Sequence, residues 1–149
     1  MTELKPYTHR VQYYETDMMG LTHHSNYVRW MEEARIDFLD RLGFPYKAME
    51  AAGILSPVTK ISCEYKRPSS FGDLIEIRVN VSAFNGIVLA IQYLMSAEDG
   101  SVICTASSEH VFLGKDGRFV RMKKEMPELS ALLAELAAAG EGPMPQEEA

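Results

Sequence analysis

The sequence predicts an α+β fold in which an antiparallel sheet wraps around one long central helix, and three observations predict it. Tyr27, Trp30, Met31, Ala34, Phe38 and Leu42 recur at three- and four-residue steps, which gathers them on one side of a 3.6-residue helix. The chain from residue 54 to 114 then changes to period-two alternation and long apolar runs broken by turn signals. A single striped helix cannot bury its stripe alone, and the sheet is the only large apolar partner on offer.

The elements follow in order. THRVQYYE, residues 8 to 15, is rich in β-branched and aromatic side chains and reads as a first strand. The long helix is expected near residues 24 to 42, with Thr22 or Ser25 as N-cap and Gly43 followed by Phe44 and Pro45 as the stop. PYKAMEAAG reads as a short second helix ending at Gly53. Four strand candidates come next, ILSPVTKISCEYKRP, GDLIEIRVNVSAF, GIVLAIQYLMSAE and SVICTASSEHVFLG. Asn85-Gly86 and Asp99-Gly100 between them favour tight antiparallel hairpins. GIVLAI is apolar throughout, so this strand is expected at the centre of the sheet or covered on both faces. MPELSALLAELAAAG reads as a C-terminal helix, and its end closes a single domain over residues 1–139. Residues 140–149 have the Pro, Gly and Glu content of a flexible acidic tail.

Bulk composition narrows the function. The chain has 149 residues, 46% apolar and 24% charged, enough to bury one sizeable core. A formal charge of -6 argues against general nucleic-acid binding. No apolar run approaches the ~20 residues that span a bilayer, and MTELKPYTHR lacks a signal-peptide core, so no membrane role and a cytoplasmic location are expected. Cys63 and Cys104 lie in strand-like apolar segments and read as small buried hydrophobes, with no disulfide needed. No phosphate-loop or dinucleotide glycine pattern is present. Asp17, His23 and His24 offer metal-ligand types without a metal-site spacing, so neither metal nor cofactor is expected.

The chemistry concentrates in YYETDMMGLTHHSNYVRWMEEAR, residues 13 to 35, at the joint between the first strand and the long helix. Backbone N–H groups at a helix start lack intrahelical partners and sit at the positive end of the dipole, where they can polarise a carbonyl oxygen. Gly20 permits the tight backbone that would let a ligand approach them, and Asp17 stands just before that turn. A carboxylate beside an amide-lined carbonyl site supplies an oxyanion stabiliser and either a nucleophile or a general base for water. Taken singly, each residue has a plainer reading: Asp17 as a turn or cap residue, His23 and His24 as surface groups, and Met18 and Met19 as packing rather than an acyl pocket.

The pattern YxETDxxGxxxHxNYxxWxEEAR, running from Tyr13 to Arg35, resembles the acyl-CoA thioesterases of the hotdog fold, the 4-hydroxybenzoyl-CoA thioesterase type. The likeness continues weakly through SPVTKISCEYKRPSSFGDLIEI, and element order agrees over roughly residues 5 to 125. The resemblance implies an enzyme that releases a free acid and CoA without a cofactor. Asp17 would be its catalytic carboxylate, and the amide near His24 would receive the thioester oxygen. The His24 side chain assists without being essential, since other members carry tyrosine there. Gly20, Ser25, Asn26 and Tyr27 are expected to border the substrate, with Asn26 and Tyr27 in capping and packing roles. A second branch of the fold uses a glutamate on the central helix, but Glu32 and Glu33 point away from the apolar stripe and read as surface or interface charges.

The resemblance also implies a homodimer or homotetramer with CoA lying across the subunit junction. Lys66, Arg67, Arg118, Arg121, Lys123 and Lys124 are candidate phosphate contacts, with solvated surface charge as the plain reading. Two alternatives stand beside acyl-CoA hydrolysis. One is a thioesterase for acyl carrier protein, which presents the same acyl–pantetheine arm. The other is a non-catalytic acyl-CoA binding module, against which the joint retention of Asp17, Gly20 and the helix start argues.

Overall fold

The computed structural model describes residues 5–140. Five strands form one antiparallel sheet in the order β1-β4-β5-β6-β3, with β1 Tyr7–Arg10, β3 Val58–Tyr65, β4 Leu74–Phe84, β5 Val88–Ser96 and β6 Val102–Val111. The two tight turns are local products of the sequence. Gly86 and Gly100 take φ of +92° and +88°, and the side chains of Asn85 and Asp99 accept the N–H groups that follow, at Val88 and Ser101. Val88–Ile91 of GIVLAI lie in β5, the central strand, as expected, while Gly86 and Ile87 belong to the turn before it. Its inward residues Leu89, Ile91, Tyr93 and Met95 are buried, while the alternate residues are half-buried rather than covered.

Helix α1, Ser25–Arg41, packs Tyr27, Trp30, Met31, Ala34 and Phe38 of the predicted stripe into the core with Leu39 added; Leu42, just past its end, is half-buried against the core, and Gly43 follows with φ +95°. Trp30 and Ala34 are fully buried. Burying each large apolar side chain of this stripe contributes on the order of 1.5–3 kcal/mol. Helix α2 spans Tyr46–Ala51. At the C-terminus, α3 (Met122–Glu125) leads into α4 (Pro127–Ala139), which lies along β4 and buries Leu129 and Leu133. Pro127 occupies the first turn of α4, where a missing N–H costs nothing. The expected acidic tail, residues 140–149, lies outside the described residues apart from Gly140. Among the described residues no helix is long and apolar enough to cross a membrane.

Four expectations change, one of them SVICTASSEHVFLG, which breaks at Phe112 into β6 and a separate two-residue strand, Leu113–Gly114. The first strand stops at Arg10 instead of running to residue 15. Tyr13–Glu15 form a 3₁₀ turn, because the Glu15 carboxylate accepts the Gln12 N–H at 2.8 Å and is itself buried. ILSPVTKISCEYKRP is not one strand. Pro57 divides it into β2 (Ile54–Leu55), paired with β7 (Leu113–Gly114), and β3, paired with β6. Neither Thr22 nor Ser25 caps α1. The N-cap position is His24, which makes no side-chain capping bond, and the Thr22 hydroxyl turns instead to Ser69.

Strand β3 is an open edge. Among the described residues it pairs only with β6, and Val58, Ile61 and Tyr65 on it are exposed.

Candidate active site

Residues 16–22 form a small hairpin between the 3₁₀ turn and α1. Thr16 bridges Thr22, the Asp17 N–H donates to Leu21 O at 2.8 Å, and the Gly20 N–H donates to Asp17 O at 2.9 Å. Gly20, with φ +77°, makes this reversal possible. Its function in the structure is thus to close the hairpin rather than to open the helix start. Met18 and Met19 are exposed at the hairpin tip, so they do not serve core packing.

Asp17 is exposed, and its two oxygens differ. Oδ1 accepts the N–H groups of Met19 at 2.9 Å and Leu21 at 3.3 Å, while Oδ2 carries no hydrogen bond among the described residues. The carboxylate is therefore held by one oxygen and offers the other.

The base of the hairpin is anchored twice. The Thr22 N–H donates to Ser69 O at 2.8 Å, and the hydroxyls of Thr22 and Tyr27 both meet Ser69 Oγ, at 2.7 and 2.9 Å. On the other side the Glu15 carbonyl accepts the His23 N–H at 2.8 Å and the Asn26 side-chain amide at 2.9 Å. Asn26 is buried in this tie, and Tyr27 is buried beside it; burial pushes the Tyr27 phenol up, against a partial offset from Ser69. Ser25 is exposed and its hydroxyl meets His23 Nδ1 at 2.8 Å.

At the helix start the N–H groups of Ser25, Asn26 and Tyr27 are engaged, by His23 Nδ1, His23 O and His24 O. The His24 N–H has no acceptor among the described residues. The His24 carbonyl also accepts the Tyr65 hydroxyl at 3.3 Å, which joins the end of β3 to the start of α1. The imidazole of His24 stacks on His23 at 4.3 Å between ring centres and meets the Tyr65 ring edge-on at 6.3 Å.

These groups face one open cleft of ≈ 460 Å³. Asp17, Leu21, Thr22 and His24 line it on the hairpin side, Tyr27 stands at the helix, and Tyr65, Lys66, Arg67 and Pro68 come from the end of β3. The structure thus brings together Asp17, His24, Tyr27, Lys66 and Arg67. Gly20, Ser25 and Asn26 lie around the same joint without lining the cleft, and Arg118, Arg121, Lys123 and Lys124 are absent from the lining. Tyr65 and Ser69 carry no sequence signal for this site, and Thr22 reads there only as a helix-cap candidate. A tyrosine at the end of a strand carries no signal of its own until the strand's place at the sheet edge is known. Chemically, the residues that line the cleft include a carboxylate with one unengaged oxygen, a helix-start residue with an unengaged N–H and two cationic side chains, the parts needed to hold and attack a polarised carbonyl attached to a phosphorylated carrier.

Glu33 is not a pure surface charge. It is half-buried, and its Oε1 accepts the Tyr7 hydroxyl at 2.8 Å and lies 3.2 Å from His9 Nδ1. Glu32 is exposed, as expected.

Comparison with known proteins gives a consistent result. The sequence profile described as the thioesterase-like superfamily matches residues 11–138. The chain is 34% identical over 119 residues to a Bacillus subtilis (strain 168) protein provisionally named an acyl-CoA thioesterase, covering 79% of this chain and 86% of the relative. It is 32% identical over 91 residues to an acyl-CoA thioester hydrolase of Escherichia coli, covering 60% of this chain and 68% of the relative. A DHNA-CoA thioesterase structure from Staphylococcus aureus superposes with a TM-score of 0.86 at 29% identity, over 90% of this chain and 91% of that one. None of the three is named for 4-hydroxybenzoyl-CoA, so the match supports the thioesterase family without that type.

Proposed function

Because the chain belongs to the thioesterase-like superfamily and is a hotdog-fold hydrolase of acyl-CoA thioesters, we propose that Asp17 carries the reaction and the His24 N–H holds the substrate oxygen. The observation that supports this assignment is the pairing, in one cleft, of an unengaged carboxylate oxygen on Asp17 with an unengaged N–H at the start of α1. The thioester carbonyl oxygen would accept the His24 N–H, which strengthens as negative charge develops on it. Asp17 Oδ2, or a water that it deprotonates, would attack the carbonyl carbon. The C–S bond then breaks and the CoA thiolate leaves, a good leaving group because a thiol of pKa near ~8.5 is far more acidic than an alcohol; where Asp17 itself attacked, water then hydrolyses the acyl–Asp17 anhydride, which releases the acid and restores the carboxylate. No cofactor enters this scheme.

Lys66 and Arg67 would meet the CoA phosphates at the rim. Lys66 already pairs with Glu64 at 2.9 Å, so this contact is an exchange of partners. The open edge of β3, with its exposed Val58, Ile61 and Tyr65, supports a homo-oligomer in which two copies pair along this strand, placing two clefts beside the junction. Sedimentation at micromolar concentration should give a dimer or tetramer, and a monomer there would remove this part of the proposal. A cytoplasmic location suits a CoA ester substrate.

The decisive test is thiol release from a panel of aromatic and aliphatic acyl-CoA esters by wild type and Asp17→Asn. The variant keeps shape and loses the charge, so turnover should fall by at least about a hundredfold. Near-wild-type turnover would move the role to another acid. Single turnover in ¹⁸O-labelled water then tests the nucleophilic route: label in the Asp17 carboxylate shows an acyl–Asp17 anhydride opened by water at the aspartyl carbon, whereas general-base attack, or opening at the acyl carbon, labels only the released acid.

A further inference from the structure

Two residues before Asp17, the side chain and the backbone of one residue are both fully engaged. Glu15 is 4% exposed. Its Oε1 accepts the Gln12 N–H at 2.8 Å and lies 2.8 Å from His9 Nε2, and its Oε2 accepts the Trp30 indole N–H at 2.8 Å. His9 is in turn gripped on its far side by Glu33, and its ring lies 4.7 Å from that of Trp30. The carbonyl of the same Glu15 is the acceptor for the His23 N–H and the Asn26 amide. One residue therefore connects β1, the 3₁₀ turn, the joint before α1 and the second turn of α1.

From this geometry we infer that Glu15 is a positioning residue for the thioesterase reaction. Its buried carboxylate fixes where its own carbonyl sits. The carbonyl fixes His23 and Asn26, and these bracket the N–H of His24, a residue that lines the cleft. On the other side only Thr16 separates Glu15 from Asp17, so the same anchor sets the start of the hairpin that aims Asp17 Oδ2. The distance between the attacking carboxylate and the oxygen-holding N–H is thus defined from beneath by a group that never meets substrate. This inference rests on the reading of Asp17 and the His24 N–H given above. Burial alone would raise the Glu15 pKa, but the bonds from Gln12, His9 and Trp30 outweigh it and hold the group below the usual carboxylate range, so the anchor is a carboxylate at neutral pH.

A positioning group and a merely stabilising one differ in kinetics. Misplacing a reacting group by about an ångström costs up to on the order of a hundredfold in rate while leaving ground-state binding largely intact. The experiment is steady-state hydrolysis of the best ester in the panel by Glu15→Gln, which turns an NH₂ toward the donors, and by Trp30→Phe, which keeps the ring and deletes one donor. Both are assayed well below their melting temperatures, beside Asp17→Asn. Glu15→Gln should lose about tenfold or more in kcat with KM within about twofold of wild type, and Trp30→Phe should show a smaller loss with the same split. If folded Glu15→Gln keeps wild-type kcat and only melts earlier, or if KM alone moves, the inference is overturned. Should Glu15→Gln not fold, Trp30→Phe decides: an unchanged kcat overturns the inference, and a lowered kcat at constant KM supports it. Inactive Asp17→Asn with fully active Glu15→Gln removes the positioning role alone, whereas active Asp17→Asn removes the reading on which it rests.

Discussion

Helix α1 covers two buried polar clusters that handle charge in opposite ways. Near its start, Glu15, His9, Trp30, Glu33 and Tyr7 form a set in which each polar side-chain group has a partner, and Glu15 keeps its charge. Farther along, Tyr93 and His110 share Ser108, each at 2.7 Å, but His110 Nδ1 has no partner among the described residues, and buried Arg35 lies 5.5 Å over the Tyr46 ring. Burial, aided by the Arg35 charge, pushes His110 down to about 3, so its imidazole is neutral at physiological pH. The Glu15 charge survives burial because three donors converge on its carboxylate. The His110 imidazole, with one hydroxyl partner and a buried guanidinium nearby, gives up its proton and tolerates an orphaned atom.

The largest effect should come from breaking the satisfied cluster. Glu15→Leu leaves the Gln12, His9 and Trp30 donors buried without an acceptor and should cost about 3–5 kcal/mol, read from urea unfolding. A loss below about 1 kcal/mol would mean that water replaces the carboxylate and that the cluster is looser than its distances suggest.

An intermediate effect separates the clusters by pH. The folded state holds His110 neutral down to about 3, whereas the unfolded chain takes up its proton near the ordinary value of 6.5. The unfolded state therefore binds more protons over this window, and stability falls as pH drops from about 6.5 toward about 3. Glu15 works lower down. Its depressed pKa contributes stability that is complete above the ordinary 4.5 and is lost as pH falls through the folded value. Between pH 4.5 and 6.5 the slope belongs to His110 alone of the two, and His110→Leu should flatten the melting temperature across that range. An unaltered slope in the variant would contradict the neutral buried imidazole.

The smallest effect is expected at Arg35. Arg35→Met keeps most of the packed volume and should change stability at neutral pH by no more than about 1 kcal/mol. It removes the cation that helps hold His110 down, so the imidazole should titrate higher, which a histidine proton NMR titration reads directly.

The sequence makes these regions legible to different depths. The α1 stripe and the hairpin turns at Asn85-Gly86 and Asp99-Gly100 are local patterns, and the structure repeats them almost residue for residue. The cleft is half legible for the same reason. Asp17, His24 and Tyr27 come from one run of eleven residues, so their meeting needs only a turn. Tyr65 reaches His24 from 41 residues away, and no local pattern encodes that contact. The end of β1 is misread because THRVQYYE is uniformly strand-prone. What stops the strand is Glu15 folding inward onto His9 and onto Trp30, fifteen residues on. Thr22 has the chemistry of a helix cap, yet its hydroxyl serves Ser69 across 47 residues.

The sheet order has a consequence for the time at which the molecule acquires its chemistry. β4, β5 and β6 are joined by tight turns, so they can pair with little loss of chain entropy. Among the described residues β1 pairs only with β4, and the joint that carries Asp17 is tied to Ser69 and, through Arg10, to Gly72, 62 residues beyond Arg10. Those closures span the whole of α1 and β3 and form slowly, because nonlocal contacts must first offset the entropy of a long loop. The hairpin that carries Asp17 is accordingly expected to close after β4, β5 and β6 have paired, so that a folding chain holds a sheet before it holds a working carboxylate. Pulse-labelled amide exchange should find the Tyr93 and Ala106 amides protected before those of Thr22 and His23, and the reverse order would place the hairpin in the folding nucleus.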